Sequence, residues 1–164
     1  MLSEAKEKNL IGLTIDGKKI TKQTPSEPWP GNFGCYDKQL TSLEGAPASV
    51  GGHFYCSDNQ LTSLEGAPAS VGGYFGCSSN RLTSLEGIHK ILKQMNGAFY
   101  ANNNPLKSNV IGLLLVKGCK EVQLDNKQVE EILNRHLKST FGHLRVLECQ
   151  EELLSADLDD WAKL

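Results

Sequence analysis

The chain has 164 residues, a formal net charge of −2 and 39% hydrophobic residues. This length suffices for one domain or for a repeat array with caps, and so small a charge provides no overall basic field to attract nucleic acid or anionic lipid. The longest apolar run, 110–116, is far shorter than the roughly 20 residues that span a bilayer. The charged segment 1–8 has no secretory apolar core behind it. We therefore expect a cytoplasmic protein that binds no membrane and no nucleic acid.

Residues 1–30 are predicted to form an N-terminal cap and a proline-rich connector. Within 10–21, Asp16-Gly17 stands between short apolar segments, which is a strong signal for a β-hairpin turn. Prolines on both sides of Trp29 favour an extended connector that places this indole over the core of the first repeat.

Residues 31–106 contain a repeat with a period of 21 residues. The sequence Leu-Thr-Ser-Leu-Glu-Gly begins at positions 40, 61 and 82, and the sequence Phe-x-Cys begins at positions 33, 54 and 75. A fourth, degenerate copy begins at Phe99, 24 residues after Phe75, which implies a three-residue insertion around 88–95. Self-similarity at a fixed period is the signature of a stacked solenoid.

Each unit has the pattern Phe-x-Cys-x-x-Asn-x-Leu-x-x-Leu, which matches the leucine-rich-repeat template with Phe and Cys in two leucine positions. The pattern predicts one short strand per unit in a parallel sheet, with Phe and Cys facing the core. Asn59, Asn80 and Asn104 should turn inward and satisfy backbone groups, while the first unit has Lys38 instead. The Gly-Gly pairs should allow tight entry into each strand, and the short period leaves room opposite only for extended or 3₁₀ turns.

Cys35, Cys56 and Cys77 recur with the repeat and should form a column in the core. Cysteine is a small apolar residue that suits such a column, so core filling is the favoured interpretation. A metal site and a disulfide between neighbours are the alternatives. Equivalent positions in parallel strands give poor tetrahedral geometry, and a reducing cytoplasm disfavours disulfides.

Residues 107–164 are predicted to form a C-terminal strand and a helical cap. The apolar spacing favours a helix within 108–117, a strand at 121–124, and a helix capped by Asp125 or Asn126 that continues to about Leu137. A further helix is expected over 144–154, and a short last helix over 156–164. The whole chain is thus predicted to be a mixed α/β (α+β) protein, a short leucine-rich-repeat-like solenoid with a parallel β-sheet, an N-terminal hairpin cap and a C-terminal helical cap.

No catalytic constellation is predicted. His136, His143 and Cys149 lie near one another in the sequence, but solvated or packing roles are favoured over a metal site or a Cys-His pair. The acidic run 157–160 fits a helix N-terminus better than a calcium loop, which would need the Asp-x-Asp-x-Asp-Gly pattern. We therefore predict no catalytic residue, no metal site and no cofactor.

The outward strand positions, which run from Asn32 in the first unit to Ala98 and Asn103 in the fourth, should form a continuous surface. Tyrosine and small polar residues prevail there, as is typical of protein-recognition surfaces. Basic residues interleaved with aromatic ones, which nucleic acid would require, are absent. The candidate partner-binding residues are Tyr36, Asp37, His53, Tyr55, Ser57, Asp58, Tyr74, Ser78, Tyr100 and Asn102.

The block Leu-Thr-Ser-Leu-Glu-Gly-Ala-Pro-x-x-Val-Gly-Gly, followed by Phe-x-Cys-x-x-Asn, resembles the leucine-rich-repeat-like proteins of tailed bacteriophages and prophages. The resemblance covers about residues 29–164 and implies a role in interaction with the host. It implies no catalytic residues.

The leading hypothesis is a phage-type module that binds a host protein or defence system through its strand face, its helical cap or both, and modulates or inhibits it. One alternative is an enzyme or nucleotide-binding protein with a pocket between the array and the cap. The other is a structural, self-assembling protein, because a parallel sheet exposes an edge where it is not capped.

Overall fold

The computed structural model describes residues 8–139 and 142–164, so the first seven residues of the predicted N-terminal cap lie outside the described part. A parallel β-sheet winds as a solenoid of about four turns, with an antiparallel hairpin before it and helices after it. The strands are β1 (Thr14–Ile15), β2 (Lys18–Lys19), β3 (Pro28–Trp29), β4 (Phe33–Gly34), β5 (Ser49–Val50), β6 (Phe54–Tyr55), β7 (Ser70–Val71), β8 (Phe75–Gly76), β9 (Gln94–Tyr100) and β10 (Lys117–Gln123), and the α-helices are α1 (Ile88–Ile91), α2 (Lys127–Leu137) and α3 (His143–Ser155).

The predicted line of parallel strands is present, and it follows the sequence period. Strands β4, β6, β8 and the second half of β9 pair in parallel, with Phe33 opposite Phe54, Phe54 opposite Phe75, and Phe75 opposite Phe99. The extra three residues before β9 accommodate α1, a single helical turn. The repeat and its insertion are therefore confirmed.

Each coil contains a second short strand, so the prediction of one strand per repeat was wrong. Strands β3, β5, β7 and the first half of β9 form another parallel line, in which Val50 lies opposite Val71. The Gly-Gly pair separates the two strands of a coil. In the fourth coil, Asn96-Gly97 stands at this place and β9 runs unbroken through both lines.

Stacked phenylalanines fill the core of the solenoid. Phe33, Phe54, Phe75 and Phe99 are fully buried, and successive ring centroids lie 5.1–5.6 Å apart. At the N-terminal end, Trp29 meets the ring of Phe33 edge-on at 5.0 Å, as the connector sequence predicts. Aromatic pairs in these geometries contribute about 0.5–1.5 kcal/mol each beyond their buried area.

The cysteine column lies beside the phenylalanines and consists of free, buried thiols. Burial raises the pKa of the Cys35 thiol to about 12 and raises the pKa values of Cys56 and Cys77 well above the ordinary range. A thiol in this state is protonated at neutral pH and is a poor nucleophile and metal ligand. Core filling is the role that this placement supports.

The inward asparagines hold adjacent coils together. Asn80 Nδ2 donates to the carbonyl oxygens of Cys56 and Cys77 at 3.0 Å, and its Oδ1 accepts the N–H of Leu61 at 3.0 Å. Asn59 and Asn104 repeat the arrangement one coil before and one coil after. This confirms that the asparagine of each unit satisfies backbone groups where the chain leaves the strand.

The N-terminal hairpin covers the first coil as predicted. Strands β1 and β2 are antiparallel around the Asp16-Gly17 turn. Leu10 and Ile20 are fully buried, and the N–H of Leu10 donates to the carbonyl oxygen of Glu44 in the first repeat.

The C-terminal cap agrees with the prediction except in two segments. The apolar segment 108–117 forms a 3₁₀ helix, Ile111–Leu115, and 156–164 forms turns where a helix was expected. At the end of α3, Asp157 takes a left-handed φ of 57° and the N–H of Leu158 returns to the carbonyl of Leu153. This helix-ending turn folds the last residues back, so the acidic run does not start a helix.

Helix α2 covers the outer edge of β10. Asn126 is its N-cap and accepts the N–H of Val129. Further along, Asn134 Oδ1 accepts the N–H of Val122 at 2.7 Å while its Nδ2 donates to the Val122 carbonyl at 2.8 Å. This amide replaces the backbone groups of a neighbouring strand and blocks strand addition at that point. No helix in the described residues is long and apolar enough to cross a membrane.

Candidate protein-binding face

The outward side chains that precede each Phe link one coil to the next. Asn32 Oδ1 accepts the N–H of His53 at 2.8 Å, and His53 Nδ1 accepts the N–H of Tyr74 at 2.8 Å. With Nδ1 acting as the acceptor, the proton of a neutral His53 ring lies on Nε2. The side chains of Asn32 and His53 therefore lean along the solenoid axis, and hydrogen bonds from the backbone of the next coil fix their positions.

Glycines make room for the leaning rings. A Cβ atom at Gly73 would lie 2.2 Å from His53 Nδ1, and one at Gly97 would lie 2.3 Å from Tyr74 Cδ1. One residue after Phe75, Gly76 lies under the ring of Tyr55, where an added Cβ would be 3.1 Å from Cδ1. The second glycine of the Gly-Gly pair thus allows the preceding coil to lay an aromatic ring on the sheet.

The rings form a connected cluster on the surface. The centroids of His53 and Tyr74 are 4.7 Å apart with the rings nearly parallel, and those of His53 and Tyr55 are 5.7 Å apart. Tyr74 meets Tyr100 edge-on at 5.8 Å. We call this cluster, together with the exposed Tyr36 at its N-terminal side, the aromatic face.

Acidic groups flank the aromatic face. Asp37 and Asp58 are exposed and take left-handed φ values of 52° and 56°, which Asp tolerates better than most residues. At the other side, burial raises the pKa of the Tyr100 hydroxyl, and nearby Tyr74 and Glu121 raise it further. Tyrosine hydroxyls and acidic side chains therefore determine the polarity of this surface.

The sheet register brings four of the ten sequence-predicted residues into ring contact, namely His53, Tyr55, Tyr74 and Tyr100. The predicted residues that are well exposed are Tyr36, Asp37, Asp58 and Tyr74, and the half-buried ones are His53, Tyr55, Ser57, Ser78, Tyr100 and Asn102.

One outward position contributes little to the surface. Ala98 is only 4% exposed, although it is not part of the hydrophobic core cluster. By register its small side chain lies between Tyr74 on one neighbouring coil and Glu121 on the other, and both are larger. The surface therefore continues over Ala98 without a contribution from it.

The histidines and the cysteine of the cap do not form a nucleophilic pair. His136 Nε2 lies 2.9 Å from Glu152 Oε2, and Arg135 pairs with the same carboxylate. These two partners, His136 foremost, hold the pKa of Glu152 below its usual range. Cys149 is fully buried, and burial raises its pKa to about 12. Among the described residues, no group of three His, Cys, Asp or Glu side chains could hold a metal ion.

A cleft of about 510 Å³ lies on the opposite side, between the turns of the second and third repeats and the C-terminal residue. Its lining includes Thr62, Ser84, Glu86, His89 and Leu164. His89 Nδ1 is buried and has no hydrogen-bond partner among the described residues, and burial lowers the pKa of this histidine. The alternative hypothesis of an enzyme or nucleotide-binding protein expects a pocket between the array and the cap, and the cleft lies there. Besides His89, its lining contains only two titratable side chains, Glu86 and Lys90.

The prediction missed a surface on α3. Leu144, Leu147 and Leu154 are 68%, 56% and 50% exposed. The sequence contains the signal, because spacings of three and seven place these leucines on one face of a helix. The face that packs inward also carries apolar residues, so the sequence alone does not show which one is exposed.

No protein-family model, curated protein or solved structure matches this chain. The class that the fold defines is a capped parallel β-solenoid.

Proposed function

We propose that the protein is a phage-encoded binding module that engages a host bacterial protein or defence component through the aromatic face and modulates or inhibits it in the host cytoplasm. The observation that carries the proposal is the connected cluster of His53, Tyr55, Tyr74 and Tyr100 on a regular parallel sheet. Surfaces that combine tyrosine with small polar residues are typical of protein interfaces.

Preorganisation supports the proposal further. Ordering a flexible side chain at an interface costs about 0.5–1.5 kcal/mol. Here Gly76 and Gly97 already seat the rings of Tyr55 and Tyr74, and His53 is hydrogen-bonded to the backbone. Much of that ordering is therefore complete before a partner arrives.

The charge of the surface favours a protein over a nucleic acid. Phosphate backbones need Lys or Arg beside stacking aromatic residues, whereas exposed Asp37 and Asp58 border this cluster. Self-assembly is the weaker alternative, because Asn134 occupies the outer edge of β10 at Val122.

Affinity capture from bacterial lysate tests the proposal. We expect the double variant Tyr55→Ala/Tyr100→Ala to recover at least about tenfold less of a specific partner than the unmodified protein, because it removes two rings from the centre of the contact. Partner recovery is measured by quantitative mass spectrometry.

The matched control is Thr62→Ala/Thr83→Ala. These two threonines occupy equivalent exposed positions of the repeat on the side of the cleft, and their removal should leave recovery unchanged. Equal recovery by both double variants, with circular dichroism showing that both are folded, would contradict a role of the aromatic face.

A further inference from the structure

Helix α3 is apolar on two faces. Val146, Cys149 and Leu153 are buried against the body of the protein. Leu144, Leu147 and Leu154 point away from it and are at least half exposed. Single exposed leucines are common on protein surfaces, but a row of them on one helix face marks an interaction site.

A preformed groove lies beside this row. It has a volume of about 600 Å³, and its lining includes Leu147, Leu154 and Ala162. The far wall is the C-terminal turn, which is held against α3 by the hydrogen bond from Gln150 Nε2 to the Ala162 carbonyl at 2.9 Å. We call this feature the α3 groove.

The rim of the α3 groove is acidic. Glu151 and Asp159 line it, Glu148 is exposed three residues before Glu151 on the same helix, and none of the three forms an ion pair within the described residues. Lys163 is the one basic side chain in the lining, and it is engaged by Asp160. The groove therefore combines an apolar floor with a rim on which acidic side chains outnumber the one basic side chain.

We propose that the α3 groove binds an amphipathic helix of a partner protein, with apolar side chains on one face and Lys or Arg residues flanking them. The exposed leucines offer an apolar surface on which the apolar face of a partner helix can pack, as in helix-in-groove recognition, and basic flanks complement Glu148, Glu151 and Asp159. A second copy of this chain is disfavoured because its own acidic rim would face these carboxylates. An anionic membrane surface is repelled for the same reason.

The binding of a fluorescent Leu/Lys amphipathic peptide to the full chain, followed by anisotropy, tests this proposal. We expect Leu147→Ser/Leu154→Ser to weaken binding at least about tenfold, because each leucine buries its side chain in the complex. Binding should also weaken as salt is raised to about 1 M, where charge pairs are screened. A Leu/Glu peptide with the same leucine spacing should not bind.

Leu164→Ser is the matched control, since Leu164 is equally exposed but lines the 510 Å³ cleft and not the α3 groove. No binding by the unmodified chain, equal binding by Leu147→Ser/Leu154→Ser, or equal binding of the Leu/Glu peptide would overturn the proposal. So would light scattering that shows a dimer which this double variant converts to a monomer. These outcomes leave the role of the aromatic face unaffected, because the groove residues are not part of it.

Discussion

Replacing Asn80 by alanine is expected to lower the free energy of unfolding by about 3–5 kcal/mol. The substitution leaves the Leu61 N–H without its acceptor inside the core, and it removes one of the two asparagine donors to each of the carbonyl oxygens of Cys56 and Cys77, which keep Asn59 and Asn104. The unpaired N–H costs about 1–3 kcal/mol, each lost hydrogen bond to a carbonyl costs about 0.5–1.5 kcal/mol, and a small cavity is added. The measurement is urea unfolding, where the midpoint should fall while the slope stays the same.

Asn102→Ala is the control, because Asn102 makes no side-chain hydrogen bond within the described residues. Its midpoint should stay near that of the unmodified protein. Asn80→Asp should be at least as damaging as alanine, because a carboxylate cannot donate and would face the carbonyl oxygens of Cys56 and Cys77. If the free energy of unfolding of Asn80→Ala lies within about 0.5 kcal/mol of that of the unmodified protein, the inward asparagines do not hold the coils together.

Replacing Gly72 by alanine is expected to cost about 3 kcal/mol, through crowding of the backbone. A Cβ atom at this position would lie 2.0 Å from the carbonyl oxygen of Gly51 in the preceding coil. The coils would have to separate, which would stretch the hydrogen bond from the Gly72 N–H to the Val50 carbonyl, now 2.8 Å long. Thermal or urea unfolding measures the loss.

Gly31→Ala supplies the comparison, because nothing lies within 4 Å of a Cβ atom at Gly31. It should shift stability little. If Gly72→Ala were as stable as Gly31→Ala, the backbones of adjacent coils would not be packed as closely as the structure shows at Gly51 and Gly72.

Much of the fold follows from the sequence because equivalent residues recur every 21 positions. Identical side chains at Phe33, Phe54 and Phe75 allow only one register for the line of strands that contains them. The second line of strands was not predicted, because Ser49–Val50 and Ser70–Val71 are two residues long and carry no alternation to detect. The last segment was predicted as a helix because tertiary contacts, which the sequence does not show, turn the chain at Asp157.

The aromatic face was predictable because side-chain alternation along a strand separates inward from outward positions. The close contacts between its members were not, because they depend on how far His53 and Tyr74 lean towards the next coil. The burial of Ala98 was not predictable, since it depends on the neighbouring coils and not on its own sequence position. The exposed face of α3 was missed because both faces of that helix are apolar.

Site-specific photo-crosslinking in bacterial cells tests most directly whether the aromatic face binds a partner. The photoreactive residue is placed at Tyr36, which is 57% exposed on this face, and separately at the exposed Thr62 on the opposite side. We predict a discrete crosslink to a second protein from position 36 and none from position 62. Equal crosslinking from both positions, or a crosslink from position 62 alone, would contradict the assignment of the aromatic face as the binding surface.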